Sequence, residues 1–267
     1  TAPASDLEHY VALDADQGAV HTQRHLAPST AQMSMQERAT LAWLMMDREI
    51  QQNEAYRGAG STASVLLLHS LDVPTAPWYA SEYLAVTTVQ LGDTRLVLCD
   101  AETGEAIPLT RLHHPDDPIE SDRLSRQAAG VLTDSFGESR FLGTLANTRS
   151  FGDTQAKRYG MTAEPEVQTH ILQGSRFAFI AGFSDGIGDV MTDQELVDEC
   201  RYASHPQQAA ERIMKYAEDL GAEDNATILC IPLRGWGAIR GEDRTALQRR
   251  DRRLNTDIYR NRRNLCL

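Results

Sequence analysis

The stretch from Phe177 to Val190 limits most strongly what this chain can fold into. Phe177 to Phe183 is a mostly apolar run without a charge, and it predicts a strand buried on both faces, because a half-exposed strand would alternate polar and apolar residues. Ser184-Asp185-Gly186 then ends the run with residues typical of a turn. A carboxylate at the mouth of a buried strand is unfavourable unless a cation or hydrogen-bond donors compensate it. Asp185 is therefore either a solvated turn residue or one member of a site.

Capping residues and apolar spacing predict three helices. Ser34-Met35-Gln36-Glu37 has the form of a capping box and predicts a helix that ends near Asn53, with its Leu and Met stripe facing the core. Thr192-Asp193-Gln194-Glu195 repeats the pattern before a short helix, and Pro206 opens another helix that Gly221 can end. Together with the strands, these helices indicate an α+β layered architecture.

Three further strands are predicted between the first helix and the organising run. Gly58 to Ser64 is glycine-rich, but it precedes the predicted buried strand Val65 to Leu68 and not a helix, so we expect its glycines to permit close packing and not to bind phosphate. Tyr83 to Gln90 and Thr94 to Cys99 are rich in strand-forming residues. Leu91-Gly92-Asp93 lies between them and predicts a hairpin, and so antiparallel pairing.

Composition narrows the function classes. The chain has 267 residues, the length of one large domain, and its net charge of -12 argues against nucleic-acid binding while fitting a site that gathers carboxylates around divalent cations. No run of about 18 apolar residues is present, so no membrane span is predicted. The four cysteines have no CxxC spacing, which favours buried free thiols in a reducing compartment over a zinc site or disulfides.

Acidic residues also lie at the ends of two other predicted strands, as Asp185 does. Leu7 to Asp14 predicts a short strand that delivers Asp14 to a small polar turn, and Glu223 to Thr227 leads into a predicted strand that ends at Leu233. His113 and His114 lie beside acidic residues, but neighbouring side chains in an extended segment point apart. At most one of the two histidines could serve a given site, and a structural or solvent-facing histidine is favoured over a metal ligand.

These pieces form an ordered set of motifs. In chain order they are Asp14 after a strand, Gly60-Ser61-Thr62-Ala63, Leu91-Gly92-Asp93-Thr94-Arg95, Thr110-x-x-His113, Arg149-Ser150-Phe151-Gly152-Asp153, Ala163-Glu164-Pro165, Ser184-Asp185-Gly186 and Glu223-Asp224-Asn225-Ala226-Thr227. Their order and spacing resemble those of the metal-dependent protein phosphatases, the type 2C serine/threonine phosphatases, over most of residues 8–233. Gly235-Trp236-Gly237 and its basic continuation look most like fungal, mitochondrial-type members.

The resemblance implies a layered sandwich of two central antiparallel sheets flanked by helices, with two Mn²⁺ or Mg²⁺ ions at one end. It implies that Asp14 bridges the ions, that the carbonyl of Ala15 is a ligand, and that Asp185 and Asp224 hold the second ion. Three converging carboxylates would repel one another without cations. The implied reaction is hydrolysis of phosphoserine or phosphothreonine in a phosphoprotein by a metal-activated water. Supporting positions carried over from the motifs are His113, Arg149, Asp153, Gly186 and Asn225.

The sequence departs from the family pattern at three places. Asp14-Ala15-Asp16-Gln17-Gly18 stands where the family has Asp-Gly-His-Gly-Gly, and Leu112 stands where the family often has an aspartate. The strand that the family places upstream of Asp14, with a phosphate-binding arginine and an acidic pair, is absent from the sequence. Two hypotheses follow: an active phosphatase, or a catalytically impaired pseudophosphatase that serves as a binding or regulatory module.

The expected organisation is an N-terminally incomplete phosphatase-like domain over residues 1–234 and a basic tail over residues 235–267, packed on the domain or extending from it. Nine arginines fall between Arg240 and Arg263. A solvated helix or strap is favoured over a site for an acidic partner. The resemblance points to an intracellular, mitochondrial location, with the cytoplasm as the alternative.

Overall fold

The structure is a computed structural model, and it describes residues 33–126, 131–133 and 139–265. The strands are β1 (Gly60–Ser61), β2 (Ala63–Ser70), β3 (Tyr83–Leu91), β4 (Arg95–Asp100), β5 (Ala106–Pro108), β6 (Val131–Thr133), β7 (Ser139–Phe141), β8 (Phe151–Gly152), β9 (Glu166–Gln173), β10 (Phe177–Phe183) and β11 (Ile228–Pro232). The α-helices are α1 (Met35–Gln52), α2 (Pro118–Arg126), α3 (Thr154–Lys157), α4 (Asp185–Gly188), α5 (Asp193–Cys200), α6 (Pro206–Asp219) and α7 (Ala246–Leu265). Short 3₁₀ turns cover Glu54–Tyr56 and Gly174–Arg176.

Two antiparallel sheets form the centre of the fold. One has four strands in the order β11-β10-β4-β5, and the other has three in the order β2-β3-β9. Apolar side chains from both sheets share one cluster between them: Leu84 and Val86 from β3 meet Leu96 and Leu98 from β4, with Ile180 from β10. The chain therefore folds as the predicted α+β sandwich.

β10 is the strand predicted from the apolar run, and it lies inside the four-stranded sheet between β11 and β4. Its residues from Ala178 onward are buried. Ile180 faces the other sheet, while Phe179 and Phe183 face the layer formed by α5 and α6. Both faces of β10 are covered, which explains why the run carries no polar alternation and confirms the prediction.

The predicted caps of the outer helices are present. Thr192 and Glu195 form a capping box at the start of α5, and Ser34 and Glu37 form one at the start of α1. α6 begins at Pro206 and ends before Gly221, whose φ of 86° is the left-handed conformation that favours glycine. Within the described residues, no helix is both long and apolar enough to cross a membrane.

The predicted hairpin of β3 and β4 is wrong, because the two strands belong to different sheets. The chain passes from one sheet to the other through Gly92, which has a φ of 109°. The side-chain amide of Gln90 donates to the carbonyl oxygens of Gly92 at 3.1 Å and Thr94 at 2.7 Å, and so satisfies groups that a hairpin would have paired. Strand propensity identified both strands, but the packing of their apolar faces against each other determined that they do not pair edge to edge.

Two predictions of burial are also wrong. The stripe of α1 is exposed among the described residues, with Leu44 at 45% and Met45 at 55%. α1 is held instead by Asp47, whose carboxylate accepts from the amide of Gly152 at 2.8 Å, and by the Trp43 ring 5.9 Å from that of Phe151. β2, which contains the predicted strand Val65 to Leu68, is only half-buried, since it lies at the edge of its sheet.

The glycine-rich loop before β2 permits close packing, as predicted. β1 within it pairs with β8, and the side chain of Asp153 lies directly over Gly60. A Cβ on Gly60 would approach Asp153 Oδ2 to 2.0 Å. Of the four cysteines, Cys99, Cys200 and Cys230 are free thiols, also as predicted, and burial raises the pKa of Cys99 to about 12.

A buried glutamate joins α2 to the segment before β8. Glu120 is 1% exposed and binds Arg149 at 2.5 Å, Arg123 at 2.8 Å and the hydroxyl of Thr148 at 2.5 Å. Burial alone would favour the neutral acid, but these donors outweigh it and lower the pKa of Glu120 from 4.5 to about 2. The folded protein therefore holds this carboxylate in its charged form.

Glu120→Gln should lower the free energy of unfolding at pH 7 by roughly 3 kcal/mol, because the arginines lose a buried anion. The folded-state pKa is depressed, so this stabilisation is present above 4.5 and is lost as the pH falls toward 2. Urea melts at several pH values should show the two proteins converging in acid. Asp122→Asn is the control, since the Asp122–Arg126 pair is exposed and should contribute less than about 1 kcal/mol. Equal losses for the two variants would contradict the role given to Glu120.

Candidate metal centre

Two acidic turns lie side by side at the end of the four-stranded sheet. Ser184 follows β10 and Thr227 precedes β11, and the two residues extend the pairing of these strands. The amide of Ser184 donates to the carbonyl of Thr227 at 3.1 Å, and the amide of Thr227 donates to Ser184 Oγ at 3.0 Å. This clamp brings the turn carrying Asp185 next to the turn carrying Asp224.

Gly186 allows the two turns to touch. A Cβ at this position would lie 2.4 Å from the carbonyl oxygen of Asn225, so any other residue would force the backbones apart. Each aspartate also accepts a hydrogen bond from the amide that follows it, Asp185 from Gly186 at 2.9 Å and Asp224 from Asn225 at 2.6 Å. The predicted supporting residues Gly186 and Asn225 thus define the spacing of the turns.

A third carboxylate, Asp93, comes from the crossing between the two sheets. Its Oδ2 accepts from the side-chain amide of Asn147 at 2.9 Å. Sequence reasoning did not select Asp93 as a site residue, because the Gly-Asp pair was interpreted as a hairpin turn. The signal was nevertheless present, since Asp93 follows a buried strand beside a glycine as Asp185 does.

The three aspartates interact electrostatically. Burial raises the pKa of Asp185, and the negative charges of Asp93 and Asp224 raise it further, against the opposing hydrogen bond from Gly186. The two neighbouring carboxylates therefore disfavour the charged form of Asp185. A divalent cation bound among them would reverse this effect.

The donor chemistry fits Mn²⁺ or Mg²⁺. Aspartate oxygens are hard ligands of the kind these ions take, and the Oδ1 of Asn147 is a buried oxygen without a hydrogen-bond partner among the described residues. The same residues contain no group of three or more His, Cys, Asp or Glu side chains close enough to hold an ion unaided. Asp14 and Ala15, the ligands expected from the first turn, lie outside the described residues, as does the short strand predicted over Leu7 to Asp14.

The remaining predicted residues make structural contacts. His113 is buried and its Nδ1 accepts from the amide of Gly92 at 2.9 Å, which fixes the turn before Asp93. The guanidinium of Arg149 is bound to Glu120 and to the carbonyl of Glu164. The carboxylate of Asp153 accepts from Ser150 Oγ at 2.6 Å as it packs over Gly60.

Comparison with known proteins identifies the family. Residues 4–226 match the family model of protein phosphatase 2C. The chain belongs to the protein phosphatase 2C family. This agrees with the resemblance carried by the motifs.

Individual relatives support the assignment. The chain is 44% identical over 161 residues to protein phosphatase 2C homolog 4 of Schizosaccharomyces pombe, covering 60% of this chain and 41% of that protein. It is 32% identical over 178 residues to the Xenopus laevis protein named protein phosphatase 1K, mitochondrial, covering 67% and 44%. The chain thus spans less than half the length of these two relatives.

A solved structure shows the same fold. The crystal structure of a phosphatase from a pathogenic strain of Toxoplasma gondii matches with a TM-score of 0.60 at 21% identity, covering 76% of each chain. At that identity the match concerns the architecture of the sandwich alone.

Gly186→Ala should weaken Mn²⁺ binding in a protein that still folds, because the added methyl group separates the two acidic turns. We expect Kd to rise on the order of tenfold, as for the loss of other groups that orient ligands. Gly188→Ala is the matched control, since its Cβ would meet the flexible side chain of Arg95 at 3.1 Å. Isothermal titration calorimetry should separate the two variants, and equal affinities would show that the spacing of the turns is unimportant.

Asp185→Asn should raise the Tm of the metal-free protein at pH 7. The pKa of Asp185 is raised in the folded state, so the folded protein binds this proton more tightly than the unfolded chain and loses stability as the pH rises above 3.8. The amide removes the repulsion while keeping an oxygen for the Gly186 amide. Calorimetric melts in EDTA should show a Tm difference at pH 7 that disappears in acid. A lower Tm for the variant at pH 7 would mean that repulsion does not govern this site.

Proposed function

We propose that the chain forms the core of a metal-dependent serine/threonine phosphatase that hydrolyses phosphoserine and phosphothreonine in proteins. The observation that carries the proposal is that Asp93, Asp185 and Asp224 approach one another at one end of a phosphatase 2C sandwich, where the charges of Asp93 and Asp224 raise the pKa of Asp185. Such a cluster is the arrangement expected of a site that binds divalent cations.

The residues have separate tasks in this proposal. Asp185 and Asp224 hold one side of the centre on two clamped turns, and Asp93 approaches from the crossing between the sheets with its carboxylate oriented by Asn147. Asp14 and the carbonyl of Ala15 would complete the ligand set from the first turn. When bound, two Mn²⁺ or Mg²⁺ ions would activate water and neutralise the phosphoryl oxygens. No side chain of the protein needs to carry the phosphoryl group.

The alternative is a pseudophosphatase that binds phosphoproteins or other partners without turnover. It is favoured by Ala15 and Asp16 in the altered first motif and by Leu112, which stands where the family often has an aspartate. The active phosphatase must bind two metal ions tightly, whereas the pseudophosphatase need not. Tight binding of two Mn²⁺ ions would contradict the pseudophosphatase.

The location belongs to the same proposal. Likeness to a relative named as mitochondrial supports a mitochondrial phosphatase, with the cytoplasm as the alternative. Import of a tagged protein into isolated mitochondria would test it.

Asp185→Asn and Asp224→Asn should each lower Mn²⁺-dependent hydrolysis of a phosphothreonine peptide on the order of 100-fold or more, because each removes an anionic ligand. Glu223→Gln is the matched control, as an exposed carboxylate next to Asp224, and it should retain the parent rate. Rates with Mn²⁺ and with EDTA, measured beside circular dichroism of each variant, test the expectation. If the parent protein binds two Mn²⁺ ions but hydrolyses the peptide no faster with Mn²⁺ than with EDTA, the hypothesis of an active phosphatase is wrong.

A further inference from the structure

The basic segment at the end of the chain is packed on the acidic helix α5. Glu195, Asp198 and Glu199 of α5 are all buried. The contacts that neutralise them come largely from the C-terminal segment: Arg252 to Glu195 at 2.7 Å, the Thr245 hydroxyl to Asp198 at 2.9 Å, Arg249 to Glu199 at 3.1 Å, and Arg253 to Glu199 at 3.1 Å. The tail forms the helix α7 on this surface. Its first two turns complete a network that would otherwise leave buried anions undercompensated.

Arg252 joins this network to the segment that follows Asp185. One arm of its guanidinium, Nη1, lies 2.8 and 2.7 Å from the two carboxylate oxygens of Glu195. The other arm, Nη2, donates to the backbone carbonyl of Val190 at 2.6 Å. The planar fork of arginine makes both contacts at once, whereas the single ammonium group of lysine would not reproduce this geometry.

Glu195 is a fixed anchor for Arg252. Its carboxylate caps α5 by accepting from the amide of Thr192 at 2.9 Å, and it accepts from the hydroxyl of Tyr216 at 3.0 Å. Arg253 lies over the Tyr216 ring, 4.4 Å from the centroid, and so fastens α7 to α6 as well. Burial opposes ionisation of Glu195, but these hydrogen bonds and Arg252 lower its pKa, so the anchor stays charged.

Arg252 contacts the segment that follows α4, and this segment continues directly from the candidate metal centre. α4 carries Asp185 at its first position and ends at Gly188, and Val190 lies two residues beyond it. An open cavity of about 570 Å³ runs along this segment, with Asp189 and Thr192 in its wall. Buried Ile187 and Met191 hold the segment to the core, and Arg252, which also lines the cavity, holds Val190.

We propose that α7 is an intramolecular latch on the candidate centre, in which Arg252 holds the segment after α4 and thereby fixes the turn that carries Asp185. Arg252 is a positioning residue in this scheme and touches no substrate. The part of the proposal that concerns metal binding rests on the proposed function. The part that concerns the position of the segment does not, so the two can fail separately.

The first test measures the latch without metal. Arg252→Met keeps the apolar stem but removes both donors, and hydrogen exchange followed by mass spectrometry should show amides in residues 186–192 exchanging at least about tenfold faster than in the parent chain. Arg250→Met is the matched control, because Arg250 is exposed on the same helix, and it should leave this exchange unchanged. Unaltered exchange in folded Arg252→Met would overturn the latch.

Arg252→Lys tests the geometry of the fork and covers the case in which the methionine variant does not fold. It keeps the charge, so exchange at residues 186–192 should still rise, though less than in the methionine variant. Parent-like exchange in Arg252→Lys would show that charge alone suffices and would refute the two-armed contact.

The second test connects the latch to the centre. Calorimetry with Mn²⁺ alone should give a Kd raised on the order of tenfold in Arg252→Met relative to Arg250→Met, comparable with the loss of other groups that support ligands. Faster exchange with an unchanged Kd would overturn the coupling to Asp185 while leaving the contact itself intact. Failure of the parent chain to bind Mn²⁺ would count against the proposed function and against the coupling, and the exchange experiment would still decide whether Arg252 holds the segment.

Discussion

The clamp between Ser184 and Thr227 is the contact on which the candidate centre depends, because it holds two acidic turns together. Two hydrogen bonds of this kind contribute about 1 kcal/mol each. The charge of Asp224 raises the pKa of Asp185, so repulsion between the two turns opposes the clamp. The larger stabilisation comes from β10 itself, where burial of side chains such as Phe179 and Phe183 contributes about 1.5 to 3 kcal/mol each.

The third carboxylate links the centre to the other sheet. Asp93 stands at the point where the chain crosses between sheets, and this point is fixed by buried polar groups and not by apolar packing. Gln90 is 1% exposed and His113 is 2% exposed, yet their side chains hydrogen bond to the crossing at Gly92. A fully satisfied polar network of this kind specifies one conformation, because any displacement would leave a buried donor or acceptor unpaired. The position of Asp93 is therefore set by this hydrogen-bond network at the crossing.

Sequence reasoning succeeded where the determinants are local. The uncharged run of β10 and the capping boxes such as Thr192 with Glu195 depend on residues within a few positions of each other. It failed where distant parts of the chain decide the outcome. The residues of β3 and β4 could not reveal that the strands lie in different sheets. Nor could the sequence show that Glu120 would meet Arg149, which lies 29 positions further along the chain.

Two sets of acidic side chains among the described residues differ in how their charge is compensated. Buried glutamates such as Glu120 and Glu195 have arginines against them, and their pKa values are lowered. Asp93, Asp185 and Asp224 pair with no arginine or lysine among the described residues, and the pKa of Asp185 is raised. A chain with 26 lysines and arginines does not lack cations to place there. Among the residues that the structure describes, no built-in cation lies where these carboxylates meet, which is the physical reason to expect that the cation comes from solution.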